Sequence, residues 1–293
     1  MSNEQPTIVV GVAGREDSAA AVRYAAAEHE RQHLPVVLVH ALHPLLTSPD
    51  SDAIPVTQEP VLRAGEQMLT DAASDLRRQV GVDAQVDARL VVGRAAPTLA
   101  KYPGAAVVVL QPDHMGTGHH IPTYSVTTAT AAHSSAPVVA VPSSWTEPDT
   151  GQVTVGVDAL GEPAHLLTTA FREARSRGVG LRVVHAWHYS VYDDVVFPGA
   201  EARRHSDQLT DQIRAHLDPV AATFADVPVE LVVRQARPAD ALVAESEGSA
   251  LLVVGRHRTS LPVAHLGSIG RAVLRESRCP VMIVDPVGEA QPA

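Results

Sequence analysis

Apolar and polar positions along the chain follow two rhythms. Short runs of Val, Ile, Leu and Ala occupy residues 8–12, 36–41, 107–110 and 136–141, and again 153–157, 181–186, 251–254 and 279–284. Between them, apolar side chains recur every three or four positions, the spacing of one helix face. Continuous apolar runs bounded by polar turns predict strands buried on both faces, as in a parallel sheet covered by helices. In the second half, strands are predicted near 152–157, 181–185, 229–233, 250–254 and 280–284. Leu167, Ala170, Phe171 and Ala174 form the stripe of the helix after the first of these, which is predicted to stop at Gly178. Leu209, Ile213, Leu217 and Val220 form a second stripe. Ile269, Ala272 and Val273 form a third, beginning directly after Gly267 and Ser268. In the first half, Leu62, Leu69 and Leu76 mark a long helix.

The two sets of runs are copies. Ile-Val-Val-Gly-Val at 8–12 matches Val-Thr-Val-Gly-Val at 153–157, and Val-Val-Leu-Val-His-Ala at 36–41 matches Leu-Arg-Val-Val-His-Ala at 181–186. Val-Val-Val-Leu at 107–110 matches Leu-Leu-Val-Val at 251–254, and Ala-Pro-Val-Val-Ala-Val at 136–141 matches Cys-Pro-Val-Met-Ile-Val at 279–284. The offset is 145 residues at the first two matches and 143 at the last. Solenoid units span about 20–50 residues, so a repeat this long predicts duplicated domains, here 1–143 and 151–286. The Pro-rich, polar stretch 142–152 reads as the linker. A chain of 293 residues suits two domains of roughly 150 each.

Composition narrows the chemistry. Aromatic residues are only 3% of the chain, so the cores must be built from Val, Leu and Ala. The net charge is −10 and Lys101 is the only lysine, which argues against nucleic acid as a partner, since that needs clustered Lys and Arg. A single cysteine, Cys279, excludes an intrachain disulfide and fits a reducing compartment. No run reaches membrane-spanning length and no charged, then apolar, leader opens the chain. The expectation is a cytoplasmic protein with no membrane partner.

One stretch carries candidate binding chemistry. The run 250–255 stops at Gly255, and twelve residues later Gly267-Ser268 opens a helix. A buried strand ending at glycine, then a loop and a helix N-terminus, presents backbone N–H groups to a phosphate.

Taken in order, Val-Gly-Val-Asp at 155–158, Val-Val-His-Ala at 183–186, Gly255, Gly267-Ser268 and Cys-Pro-Val at 279–281 resemble the universal stress protein family, in a tandem arrangement over nearly the whole chain. The resemblance implies two five-stranded parallel α/β domains, Rossmann-like, with strand order 3-2-1-4-5. One branch of the family binds ATP through Gly-x-x-Gly, nine residues, then Gly-Ser/Thr; another branch lacks these residues and does not. It further implies that the second copy binds ATP, with or without Mg²⁺, or a related adenine nucleotide, as a stress-response sensor or regulator. No catalytic residues are assigned, and slow ATP hydrolysis is left open. Asp158 would hold the adenosine end, and Gly255, Arg256, Arg258, Gly267, Ser268 and Ile269 the phosphates. Val157, His185 and Val254 would border the pocket. Strand ends that flank the point where the chain turns to either side of a sheet are where ligands bind in such folds.

The second copy departs from the family pattern twice. Arg258 stands where the second glycine is expected, and eight residues rather than nine separate it from Gly267. Arg258 can either clamp a phosphate or fill its space. The first copy departs further: Ala13 stands for Asp158, Gln111 for Gly255, His114 for Arg258 and Tyr124 for Gly267, and only Ser125 matches Ser268. That half is expected not to bind ATP in the usual way and to pack against the other as an intramolecular pseudo-dimer. The two fifth strands, 137–141 and 280–284, would hide each other's edges. A homo-oligomer of whole chains is also expected. The alternative reading is a protein-interaction module with both nucleotide sites silent.

Other constellations carry less. Asp113, His114, His119 and His120 crowd one loop without zinc-ligand spacing, and read as solvated rather than metal-binding. Loops 42–60 and 187–200 leave the second strands on the ligand side, as lids or as plain surface. Tyr189, Tyr192, Asp193 and Asp194 make the latter loop polar. Cys279, before Pro280, reads as an inert buried thiol. No Gly-x-Ser-x-Gly, Gly-x-x-x-x-Gly-Lys-Ser/Thr or His-Glu-x-x-His is present, which points to binding rather than catalysis.

Overall fold

The computed structural model describes residues 5–14, 16–42, 58–112, 125–148, 150–159, 161, 163–188, 199–256 and 266–285. It divides into two compact units, Met1–Thr146 and Glu147–Ala293.

In the first unit the chain runs β1 (Thr7–Gly11), α1 (Ala19–Gln32), β2 (Val36–Leu42), α2 (Gln58–Val80), β3 (Val86–Val92), α3 (Ala95–Ala100), β4 (Ala105–Leu110), α4 (Val126–His133) and β5 (Val138–Ala140). β1 lies between β2 and β4, β3 lies outside β2 and β5 outside β4, and all these pairings are parallel. The second unit repeats the pattern with β6 (Gln152–Gly156), α5 (Ala164–Arg177), β7 (Leu181–Trp187), α6 (Gly199–Ala221), β8 (Val229–Gln235), α7 (Pro238–Glu245), β9 (Ser249–Gly255), α8 (Ser268–Glu276) and β10 (Val281–Val284). Here β6 lies between β7 and β9, β8 outside β7 and β10 outside β9, again in parallel.

The central strands are mostly apolar because helices cover both faces; the buried Thr154 hydroxyl in β6 is satisfied by Ser249 Oγ of β9 at 2.7 Å. Ile8, Val9, Val10, Val108 and Val109 in one unit, and Val153, Val155, Leu251, Leu252 and Val253 in the other, are fully buried. Each such side chain contributes roughly 1.5–3 kcal/mol of burial free energy. The α5 stripe of Leu167, Ala170, Phe171 and Ala174 is fully buried as predicted, and the helix stops at Gly178 in the left-handed conformation, φ 66°. In α1 the same left-handed stop is made by His33, φ 55°, whose N–H donates to the His29 carbonyl. Glycine takes that backbone without the Cβ clash that His33 must tolerate.

Three details differ from the periodicity. Val220 and Leu62, counted in apolar stripes, are only half-buried, being near helix ends. Ile269, in the first turn of α8, is 39% exposed. The stretch read as linker is partly core of the first unit: Trp145 is buried and meets the Tyr24 ring edge-on, centroids 5.2 Å apart. An Arg23 Nη donates to the Trp145 carbonyl at 2.8 Å, fastening this segment to α1. Among the described residues, no helix is long and apolar enough to cross a membrane.

Candidate functional site

In the second unit, β6 and β9 are neighbours, with Gly156 opposite Val254. The chain leaves β6 for β7 and β8 on one side, then returns to β9 and β10 on the other. The C-terminal ends of β6 and β9 therefore flank the reversal point where α/β sheets bind ligands. Val157 is buried there, and its N–H donates to the Val184 carbonyl at 3.0 Å, extending the sheet by one residue. Asp158, the next residue, is exposed, and its carbonyl accepts the Gly161 N–H at 3.3 Å in the turn before α5.

Gly255 closes β9, opposite Val284 of β10. Among the described residues, a Cβ built on Gly255 would meet only Leu166 Cδ2, at 3.5 Å, an ordinary contact. The described part of the fold therefore does not require glycine at that position. Val254 beside it is buried.

The N-cap of α8 is Gly267, at φ −58° and ψ 169°, with no side chain to accept a first-turn N–H. Those N–H groups have no intrahelical carbonyl either, and Ser268 and Ile269 there are exposed. A helix N-terminus is electropositive and suits an anion. Gly270 is different: a Cβ there would come within 2.8 Å of Leu266 Cγ, so packing explains that glycine.

The first unit fills the corresponding places with its own side chains. Gln111, the counterpart of Gly255, is 9% exposed. The Ala20 N–H in the first turn of α1 donates to its Oε1, and its Nε2 donates to the Glu16 carbonyl, both at 2.9 Å. The Ala13 N–H, where the second unit has Asp158, donates to Ser18 Oγ at 2.9 Å. Ser125 caps α4, its Oγ accepting the Thr128 N–H at 3.1 Å. The sequence match to Ser268 therefore hides a change of role: Ser268 is the first residue of its helix, whereas Ser125 precedes its helix and satisfies it.

His185 and His40 behave alike. Each bonds through Nδ1 to the carbonyl after the first strand, His185 to Val157 at 2.9 Å and His40 to Val12 at 2.6 Å. A carbonyl only accepts, so Nδ1 carries the proton in both. A contact kept in the half without the glycines belongs to the fold first, and His185 borders the strand ends in that role.

Arg256 is not a free cation. Its guanidinium pairs with the Asp285 carboxylate, and its N–H donates to the Val284 carbonyl at 2.7 Å. The sequence expectation places Arg256 against the phosphates; in the structure a carboxylate just after β10 holds its side chain. Asp285 carried no sequence motif; the only signal was a charged residue where the first copy has Pro142. Arg258 lies outside the described residues, as do His114, Tyr124, the acidic-histidine loop and the segment with Tyr189, Tyr192, Asp193 and Asp194.

Among the described residues, no group of His, Cys, Asp and Glu is arranged to hold a metal ion. A cleft of about 300 Å³ opens between α1 and α2, lined by Ser18, Val22, Arg23, Ala72, Asp75 and Arg78. It lies in the first unit. Cys279 is buried, with its thiol pushed up to about 12 by burial, which keeps it protonated and unreactive.

Comparison with known proteins matches the universal stress protein family model twice, at residues 6–142 and 150–285. A universal stress protein of Mycobacterium tuberculosis is 31% identical over 295 residues, covering 96% of this chain and 97% of the relative. A second protein of that family from the same organism is 29% identical over 310 residues, covering 98% and 97%. Among solved structures, a universal stress protein from Archaeoglobus fulgidus superposes with a TM-score of 0.69 at 15% identity, covering 97% of each chain.

Proposed function

The chain belongs to the universal stress protein family, and from that premise we propose that its C-terminal half binds an adenine nucleotide, ATP or a relative with fewer phosphates, while its N-terminal half binds none. The observation that carries this reading is the paired vacancy of side chains at Gly255 and Gly267 in the second unit, set against Gln111 and Ser125, which satisfy their own backbone in the first. The phosphates lie against the N–H groups of Gly267, Ser268 and Ile269, and the Asp158 carboxylate accepts hydrogen bonds from the adenosine end. Arg258, between Gly255 and Gly267 in the sequence, contributes a positive charge. Mg²⁺, where it takes part, arrives with the phosphates. Val157, His185 and Val254 support the strand ends from behind. The chain acts as a sensor or regulator: no nucleophile stands beside a base among these residues, and binding rather than turnover is the output.

The test is calorimetric titration of AMP and ATP, with Mg²⁺, into the intact chain and its Gly267→Asp variant. Asp is a preferred N-cap, so the variant keeps α8 while placing a carboxylate where the anion would sit. One site per chain is expected, weakened about 100-fold in the variant, or roughly 2.7 kcal/mol. Two sites per chain would show that Gln111 and Ser125 do not close the first unit. No heat with either nucleotide would leave the chain an interaction module.

A further inference from the structure

Each unit's sheet ends on one side in a strand with a single neighbour, β3 beside β2 and β8 beside β7. The backbone groups of successive residues point to alternate sides of such a strand. In β3, the Gln85 carbonyl accepts the Val36 N–H and the Gly93 N–H donates to the Leu42 carbonyl, so Val86, Ala88, Leu90 and Val92 turn their groups outward. In β8, the Pro228 carbonyl accepts the Leu181 N–H and the Ala236 N–H donates to the Trp187 carbonyl. Val229, Leu231, Val233 and Gln235 therefore face outward there.

The two edges are treated differently. On β3, side chains occupy outward groups: an Arg77 Nη donates to the Val86 carbonyl at 3.0 Å, and the Ala88 N–H donates to Asp87 Oδ1 at 2.8 Å. Arg89 Nε holds the other Asp87 oxygen at 2.9 Å. On β8, among the described residues, no side chain bonds to an outward group. No residue of β8 is buried, and Val229 is 41% exposed. An unguarded edge is a template for a further strand.

The sequence of β8, Val-Glu-Leu-Val-Val-Arg-Gln at 229–235, complements itself. When a second copy runs antiparallel about Val232, Leu231 faces Val233 of that copy and Val229 faces Gln235. Each outward N–H then meets an outward carbonyl. Glu230 faces Arg234 of the second copy, and Arg234 faces Glu230, at the non-hydrogen-bonded positions where side chains come closest. Within the chain Glu230 pairs with Arg182 and Arg234 with Glu245, yet their side chains remain 55% and 40% exposed. The new pairs would extend that ionic network.

We propose that the outer edge of β8 is a docking surface for a second copy of this chain, the two β8 strands pairing antiparallel about Val232 in a two-fold homodimer. Such a contact is closed, because each copy spends the same edge on the other. The proposal does not rest on nucleotide binding.

Sedimentation velocity tests it on the intact chain, from about 1 μM to about 1 mM, a range suited to a small interface. A concentration-dependent dimer is expected. Glu230→Lys and Arg234→Glu each set like charges opposite one another twice, and each alone should weaken the dimer at least about tenfold. An equimolar mixture of the two variants should restore it. The introduced lysine then faces the introduced glutamate, and the native Arg234 of one variant faces the native Glu230 of the other. Asp87→Lys, on the guarded edge, should leave the dimer unchanged. Amide exchange on the unaltered chain gives the same answer without any variant: the Leu231 and Val233 N–H groups should gain protection as concentration rises. A monomer throughout, a mixture that stays apart, equal weakening by Asp87→Lys, or exchange at Leu231 and Val233 independent of concentration would each overturn the proposal.

Discussion

The two units share a strand pattern, a histidine bonded to the carbonyl after the first strand, and a helix following the fourth strand, yet they treat their backbone donors in different ways. In the first, the N–H of Ala20 goes to Gln111, that of Ala13 to Ser18 and that of Thr128 to Ser125. In the second, Gly255 stands where Gln111 would be, and the residue that precedes α8 is Gly267, which has no side chain to cap it. Backbone polar groups must find partners somewhere. On the proposed reading, a duplicated fold closes a ligand site without losing structure, by supplying from its own side chains hydrogen bonds to the backbone at that strand end.

The largest expected difference between the halves comes from the fifth strand. Cys279 is buried where the first copy has Ala136, and its thiol is pushed from 9.0 up to about 12 by desolvation. Between these values the folded unit keeps its proton while the unfolded chain loses it, so stability falls as pH rises. It is fully present below pH 9 and declines by about 1.4 kcal/mol per pH unit above it. Urea unfolding of the intact chain and of Cys279→Ala, from pH 8 to pH 11, should show the extra slope only in the former. Parallel slopes would mean that the thiol ionises freely in the folded state.

A smaller effect is expected from the plug in the first unit. Gln111→Ala leaves the Ala20 N–H and the Glu16 carbonyl without their partner, a cost of about 1–3 kcal/mol. Trp145, buried in that unit, reports its unfolding by fluorescence once Trp187, the only other tryptophan, is replaced by Phe. The midpoint should fall while nucleotide affinity in the C-terminal half stays constant. An unchanged midpoint would deny Gln111 its role in holding the turn before α1.

The smallest change in stability is expected at the counterpart of Gln111. Gly255→Ala adds a methyl that among the described residues meets only Leu166, at ordinary distance, so the unit should remain within about 0.5 kcal/mol of its original stability. Nucleotide affinity should nevertheless fall about tenfold, or 1.4 kcal/mol, because the methyl stands where the phosphate approaches. A variant that binds as well as the original would remove Gly255 from the site.

Much of this was legible without coordinates. The apolar runs marked the strands because both faces of the sheet are covered. The i, i+3, i+4 stripe placed Leu167, Ala170, Phe171 and Ala174 on the buried face of α5, and the aligned copies exposed the exchange of Gly255 for Gln111. What that exchange accomplishes was not legible. Gln111 meets its partners 91 and 95 positions away along the chain, and only the folded chain brings them together. Trp145 looked like linker for the same reason: its partners, Tyr24 and Arg23, lie on a helix more than a hundred residues earlier.

The sequence by itself determined the duplication, the parallel α/β class, the helix stripes and which copy kept its glycines. These follow from local periodicity and from residue identity, and neither depends on distant partners. Tertiary structure decided which charges are available and which backbone donors are already used. Arg256 reads as a phosphate ligand by its place after Gly255, yet it is held by Asp285 across 29 positions. Ser125 reads as a surviving site residue, yet it caps its own helix. Hydrogen bonds and ion pairs are contests between neighbours in space, and only the packing of β9 against β10 and of β4 beside α1 names the contestants.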